Sequence, residues 1–159
     1  MKTIALAAFG CVCLIAAAAD NSEEKAVLAT VQKAFDAMAA HDPEAARAVL
    51  IPEGRVIASR ATGNPTNISQ EEFAARLGTA KQQLLERMWN PRVSIRGGIA
   101  SVWAEYDFHL DGKFSHCGID SFTLVKTAEG WKISGIVYTV EPTGCAPSPL
   151  GPPPPAPGH

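Results

Sequence analysis

Three turn signals between Gln83 and Val140 constrain this chain most: Gly97-Gly98, Asp111-Gly112 and Ala128-Glu129-Gly130. Each supplies the positive backbone angles that tight hairpins need. They divide the segment into four long strands. Leu84 to Trp89 continues past Asn90-Pro91 into Val93 to Ile95, and Ile99 to Leu110, Phe114 to Lys126 and Trp131 to Val140 come next. Pro91 has no N–H for a ladder, so a bulge or strand edge is predicted there. The result is an antiparallel meander.

Helical signals come first along the chain. Asn21 and Glu24 have capping-box spacing, and Val27, Val31, Phe35 and Met38 then recur on one helical face, predicting a first helix from Glu23 to Ala40. Asp42 as N-cap and Pro43 in the first turn open a second helix that takes in Ala46, Val49 and Leu50 and ends at Pro52 and Gly54. Arg55 to Arg60 alternates as a short strand, and 63–67 is a loop by composition. Ser69 and Glu72 form another capping box, opening a helix that Gly78 closes. Helices followed by a meander predict an α+β class, with helices packed in a strongly bent antiparallel sheet that encloses a cone.

The N-terminus reads as an address rather than as structure. Met1-Lys2 is followed by an apolar run from Ile4 to Ala19, and Ala17-Ala18-Ala19 before Asp20 is the small-residue pattern of a cleavage site. Residues 1–19 are therefore expected to be a signal peptide, the product periplasmic or secreted, and no membrane span to remain after processing. At the other end eight prolines fall within residues 142–159, predicting a proline-rich disordered tail in extended polyproline conformation. The single folded domain is then 23–141. With 14 basic residues against 16 acidic ones and no basic patch, nucleic acid is not an expected partner.

Processing removes Cys11 and Cys13, leaving Cys117 and Cys145 in an oxidising compartment. If Lys126 faces Trp131 across the last hairpin, Cys117 falls opposite Val140. A turn through Pro142-Thr143-Gly144 then brings Cys145 back, predicting a disulfide.

Taken together, these residues resemble the nuclear transport factor 2-like superfamily, cone-shaped domains that include ketosteroid isomerases, scytalone dehydratase and polyketide cyclases. The resemblance is nearest to bacterial SnoaL-like and lumazine-binding-type members. It is carried by Val31-Gln32-Lys33-Ala34-Phe35-Asp36-Ala37-Met38 with His41-Asp42-Pro43, and by Phe122-Thr123-Leu124-Val125-Lys126 leading into Gly130-Trp131-Lys132-Ile133. It covers residues 23 to 140 and spans enzymes and binding modules alike.

Period-two alternation places Phe114, His116, Gly118, Asp120, Phe122 and Leu124 on the face expected to line the cone. The next strand adds Trp131 and Ile133, and the preceding strand adds Ala100, Val102, Ala104, Tyr106 and Phe108. Candidate catalytic residues are His116 as acid or base, Asp120 as orienter or proton acceptor, and Tyr106 as donor to a ligand carbonyl or enolate. The alternative for each is structural: a half-exposed histidine at the cone mouth, an aspartate serving a backbone donor, a core tyrosine. Phe35, Met38, Phe108, Phe122 and Trp131 are expected to line the pocket. The opposite face, with Trp103, Glu105 and Asp107, is expected to meet solvent or a second subunit in a homodimer.

His41, His109, His116 and His159 show no metal-ligand spacing, and no phosphate-binding glycine loop or nucleophile elbow occurs. Neither metal nor cofactor is expected. The leading functional expectation is an exported, non-catalytic module binding a small apolar or aromatic ligand. Competing with it are an isomerase, dehydratase or cyclase acting on a carbonyl-containing ring, and a dimeric interaction module using the proline tail.

Overall fold

A computed structural model describes residues 13–154, with the side chains of 13–20 excepted. Helix α1 spans Cys13–Ala39, α2 Pro43–Arg47 and α3 Gln70–Leu77; the strands are β1 Leu50–Arg60, β2 Thr66–Ser69, β3 Leu84–Arg96, β4 Ile99–Leu110, β5 Lys113–Thr127 and β6 Gly130–Val140. They form one six-stranded sheet in the order β2-β1-β6-β5-β4-β3. The four meander strands pair antiparallel as their turns require, whereas β1 joins β6 in parallel. The long connection through α3 and back to β3 permits this pairing.

The sheet curves around α1 without closing. Val27, Val31, Ala34, Phe35 and Met38 form the buried stripe of α1, which packs against β3 and β6. Among the described residues no helix is long and apolar enough to cross a membrane. The capping expected at Asn21 is absent because the helix begins upstream, at Cys13. Most of the expected signal peptide lies outside the described residues. At its C-terminal end α1 is closed by a Schellman arrangement: His41 N–H donates to Met38 O and Asp42 N–H to Ala37 O, with His41 at φ 53°.

Local signals placed most other boundaries. Asp42 Oδ1 accepts from the amides of Glu44 and Ala45, Ser69 Oγ accepts from Glu72 N–H, and Gly78 caps α3. The second helix is shorter than expected, stopping at Arg47, because Val49 and Leu50 turn into the core beside β6, where Ile133 N–H donates to Val49 O. Part of the expected loop at 63–67 is strand, since Thr66 and Asn67 pair with Ala58 and Ile57.

Three bulges shape the meander, and β1 has a further register shift against β6 between Leu50 and Arg55. Asn90-Pro91 interrupts the β3–β4 register on the edge strand, Ser115 is the extra residue between β4 and β5, and Ser134 the extra residue between β5 and β6. Beyond each bulge the side chains change faces. Ser115 turns Phe114 away from the cone, so it stands 49 % exposed with its ring centroid 5.9 Å from that of His109. Ser134 turns Ile136 and Tyr138 inward. It also moves Cys117 opposite Glu141 rather than Val140.

Cys117 and Cys145 are joined by a disulfide with Cα atoms 6.0 Å apart. The segment after Glu141 has no helix or strand as far as Pro154, yet it is fastened twice: at this bond, and where Arg87 donates to Gly151 O over 3.0 Å. On the outer face Trp103 and Glu105 are exposed as expected, but the part below this segment is not open to solvent. Asp107 and His109 are buried there, with Asp107 held by the two-pronged guanidinium of Arg87 at 2.9 and 2.5 Å. Burial works against the Asp107 carboxylate, but bonds from Arg87 and His109 outweigh it and hold its pKa below the usual range.

Candidate functional site

The concave face of the sheet, α1 and α3 line a partly open cavity of about 200 Å³. Helix α1 contributes Ala34, Phe35 and Met38, and α3 contributes Phe73 and Leu77. The sheet adds Val56, Leu84, Phe108, Phe122 and Ile136, so nearly all of the wall is apolar. Four polar side chains reach it: Glu86, His116, Asp120 and Tyr138.

Strand register explains how these four meet. Phe108 on β4 lies between Glu86 on β3 and His116 on β5, and Asp120 on β5 faces Tyr138 on β6. Glu86 and Asp120 are two strands apart on the same concave side. Curvature of the sheet narrows that gap, so that the two carboxyl groups act on each other. Asp120 is 1 % exposed, and its Oδ2 receives no bond from any N–H or hydroxyl group among the described residues. Two carboxylates close together in a poorly solvated site repel each other, which favours a proton held between them.

The electrostatics reflect that arrangement. Burial pushes the Asp120 carboxyl up to about 7, against the stabilising effect of its bond to Glu86. Glu86 is raised well above the ordinary carboxyl range, first by burial and then by the charge of Asp120 and the bond to it, with Asp107 adding from beyond the sheet. His116 is lowered by burial and by the charge of Arg60, which favours the neutral ring. Its Nδ1 lies 3.0 Å from Ser115 Oγ, and its ring rests against Phe108 and Tyr106 at 5.1 and 5.7 Å. Burial, then Glu86, raises Tyr138, keeping its phenol protonated.

Of the residues expected at the site, Phe35, Met38, Phe108, Phe122, His116 and Asp120 line this cavity; Tyr106 and Trp131 do not. The Tyr106 hydroxyl donates to Thr139 O over 2.5 Å and is not presented to a ligand. The cause is Gly118, directly opposite on β5, whose missing side chain lets the Tyr106 ring lie flat toward β6. Trp131 belongs to the other end of α1. Its Nε1 donates to Glu23 over 3.0 Å, and it walls a shallow groove with Lys126 and Lys132.

Glu86 and Tyr138 escape a reading of the sequence for different reasons. Glu86 carries a signal, being the one charged residue on the Leu84-Glu86-Met88 phase of its strand. Tyr138 carries none, because strict alternation from Trp131 and Ile133 places it outward, and only the Ser134 bulge reverses it. Among the described residues no group of three His, Cys, Asp or Glu side chains is arranged to hold a metal ion.

Fold and site together define a nuclear transport factor 2-like domain: helix α1 inside a curved, unclosed sheet, with a cavity between them. Residues 22–139 match the family described as "Putative lumazine-binding". The chain belongs to that family. No curated protein matches it. Among solved structures it is similar to a nuclear transport factor 2-like protein with a cystatin-like fold from Novosphingobium aromaticivorans, at 12 % identity and TM-score 0.65, covering 80 % of this chain and 87 % of that one. A superfamily member from Salmonella enterica has 14 % identity and TM-score 0.64, with 79 % and 96 % covered. A protein from Streptomyces avermitilis described as a "putative dehydratase" has 15 % identity and TM-score 0.62, with 76 % and 97 % covered. At these identities the likeness is one of fold.

Proposed function

We propose that this is an exported domain that binds one small, mostly apolar molecule inside the cone without transforming it. The observation that carries the reading is the cavity of about 200 Å³, apolar over nearly all its wall with a few polar side chains among the lining. Such a site gains affinity from burial and orientation from a few polar groups. Membership of a family described as lumazine-binding supports a small ring compound as the type of ligand. Export rests on the apolar run from Ile4 to Ala19 and the alanines before Asp20.

A neutral environment-sensitive dye such as Nile red tests the binding reading. Saturable one-to-one enhancement is expected for the wild type, and its loss in Ala34→Phe, which fills the cavity from α1. Enhancement that survives the filled cavity would move binding elsewhere and sink the reading.

The carboxyl pair favours one second reading, a proton-transferring isomerase or dehydratase. A base near pH 7 beside a protonated acid is a working combination on one wall. The similarity to the Streptomyces avermitilis protein is in keeping with it. In that case Glu86 takes the donor role once expected of Tyr106, and deuterium exchange at carbon beside a cyclic ketone, followed by NMR, stops in Asp120→Asn.

A further inference from the structure

Two buried aspartates, Asp107 and Asp120, behave in opposite ways in this molecule. On the outer face Asp107 is matched by the Arg87 guanidinium and by His109. On the inner face Glu86 and Asp120 have only each other, and the side chains lining the cavity include no lysine or arginine. Burying acidic groups without a counter-charge is costly, so such pairs hold a proton or a cation.

The cavity is built to accept a cation at that point. Asp120 is 1 % exposed, lines the cavity, and has an Oδ2 that no N–H or hydroxyl group serves. The same cavity is lined by the rings of Phe35, Phe73, Phe108, Phe122 and Tyr138. Aromatic faces attract an organic cation and do so more strongly away from water. The rest of the wall offers hydrocarbon, which an inorganic cation cannot use.

We infer that the molecule held in the cone is an apolar organic cation, a protonated amine whose charged end is gripped by the Glu86 and Asp120 carboxyls while its hydrocarbon part fills the aromatic cavity. This deepens the small-molecule reading and rests on it. Binding exchanges one cation for another: the amine displaces the proton shared by the carboxyls, and that proton leaves to solvent.

Neighbouring groups set the pH window. Glu86 faces the site from β3, His116 from β5 and Tyr138 from β6, while the Tyr106 hydroxyl on β4 is engaged with Thr139. Helices α1 and α3 present only apolar side chains to the cavity itself, Arg60 of β1 and Arg76 of α3 line an adjoining hollow that shares Phe73, Leu77 and Tyr138 with it, and Asp107 and Glu141 act from outside the wall. His116 is held toward neutrality, so it does not oppose an amine above pH 7. As pH falls below the Asp120 value of about 7 the carboxyls become protonated and the grip is lost.

Calorimetric titration with 2-phenylethylamine and with its neutral counterpart 2-phenylethanol tests this on the wild-type protein. At pH 8 the amine is expected to bind at least tenfold more tightly, with proton release visible as a dependence of the heat on the buffer. That preference should shrink toward parity at pH 5. Glu86→Gln and Asp120→Asn should each abolish the preference while alcohol binding persists. Equal binding, or an amine that fails to bind at millimolar concentration, overturns the cation proposal. Nile red separates the two readings, because its retention would leave the small-molecule site standing, and its failure would remove both.

Discussion

A single methyl group decides the geometry around Tyr106. A Cβ built on Gly118 would lie 2.9 Å from Tyr106 Cε1 and closer still to the carbonyl and hydroxyl of Thr139. Those Thr139 atoms are in use: the carbonyl accepts from Tyr106 and the hydroxyl oxygen accepts from Ile119 N–H at 2.9 Å. Neither can retreat without losing a bond. Gly118→Ala should therefore destabilise the fold by about 1–3 kcal/mol, as overpacking a tight interior does. Urea denaturation of the two proteins measures this, and an unchanged midpoint would mean β6 shifts freely.

At the scale of elements, bulges rather than strand lengths position the site. The hairpins lie where their turn residues predict, and Asp111-Gly112 adopts the doubly positive φ of its turn type, 51° and 74°. Between the turns, however, Ser115 and Ser134 each shift the phase by one residue. The first removes Phe114 from the wall and the second supplies Ile136 and Tyr138. The same Ser134 shift sets Glu141 opposite Cys117, from where the chain turns back to Cys145. The bond closes a loop of sequence separation 28, so the loop-entropy relation gives it about 3–4 kcal/mol. The double variant Cys117→Ser, Cys145→Ser should lose stability of that order in a urea melt, as should the reduced wild type. Losing much less would mean that the segment after Glu141 is held mainly by contacts such as Arg87 with Gly151.

Over the whole molecule, the carboxyl pair makes stability depend on pH in an unusual direction. Asp120 rises from the ordinary 3.8 to about 7 on folding. Its contribution is fully present below about pH 4 and disappears as pH rises through 7, since the fold then holds a charge it desolvates. Asp107, held low by Arg87 and His109, pulls the other way: its contribution is lost as pH falls. The difference between wild type and Asp120→Asn isolates the first effect. From pH 4 to pH 8 that difference should shift in favour of the variant by on the order of 3 kcal/mol, read from urea midpoints. A difference that stays flat with pH would show that Asp120 ionises in the fold as easily as in the unfolded chain.

By itself the sequence determined whatever depends on near neighbours along the chain. The helical stripe of Val27, Val31, Phe35 and Met38, the caps at Asp42 and Ser69, and the glycine turns of the meander rest on local backbone geometry and hydrophobic periodicity, so α1, the four long strands and the α+β class were legible. Part of the site was legible too: Phe108, Phe122, His116 and Asp120 come from strand alternation, and Phe35 and Met38 from the helical stripe. Tertiary structure decided the rest, because it depends on register and curvature. A one-residue bulge has no reliable signature in composition, yet it inverts every side chain beyond it, which is why Phe114 and Tyr138 exchange faces. No local pattern shows that a glutamate on β3 will meet an aspartate two strands away. Only the bending of the sheet around α1 brings Glu86 to Asp120, and with it the shared proton on which the chemistry of the cavity turns.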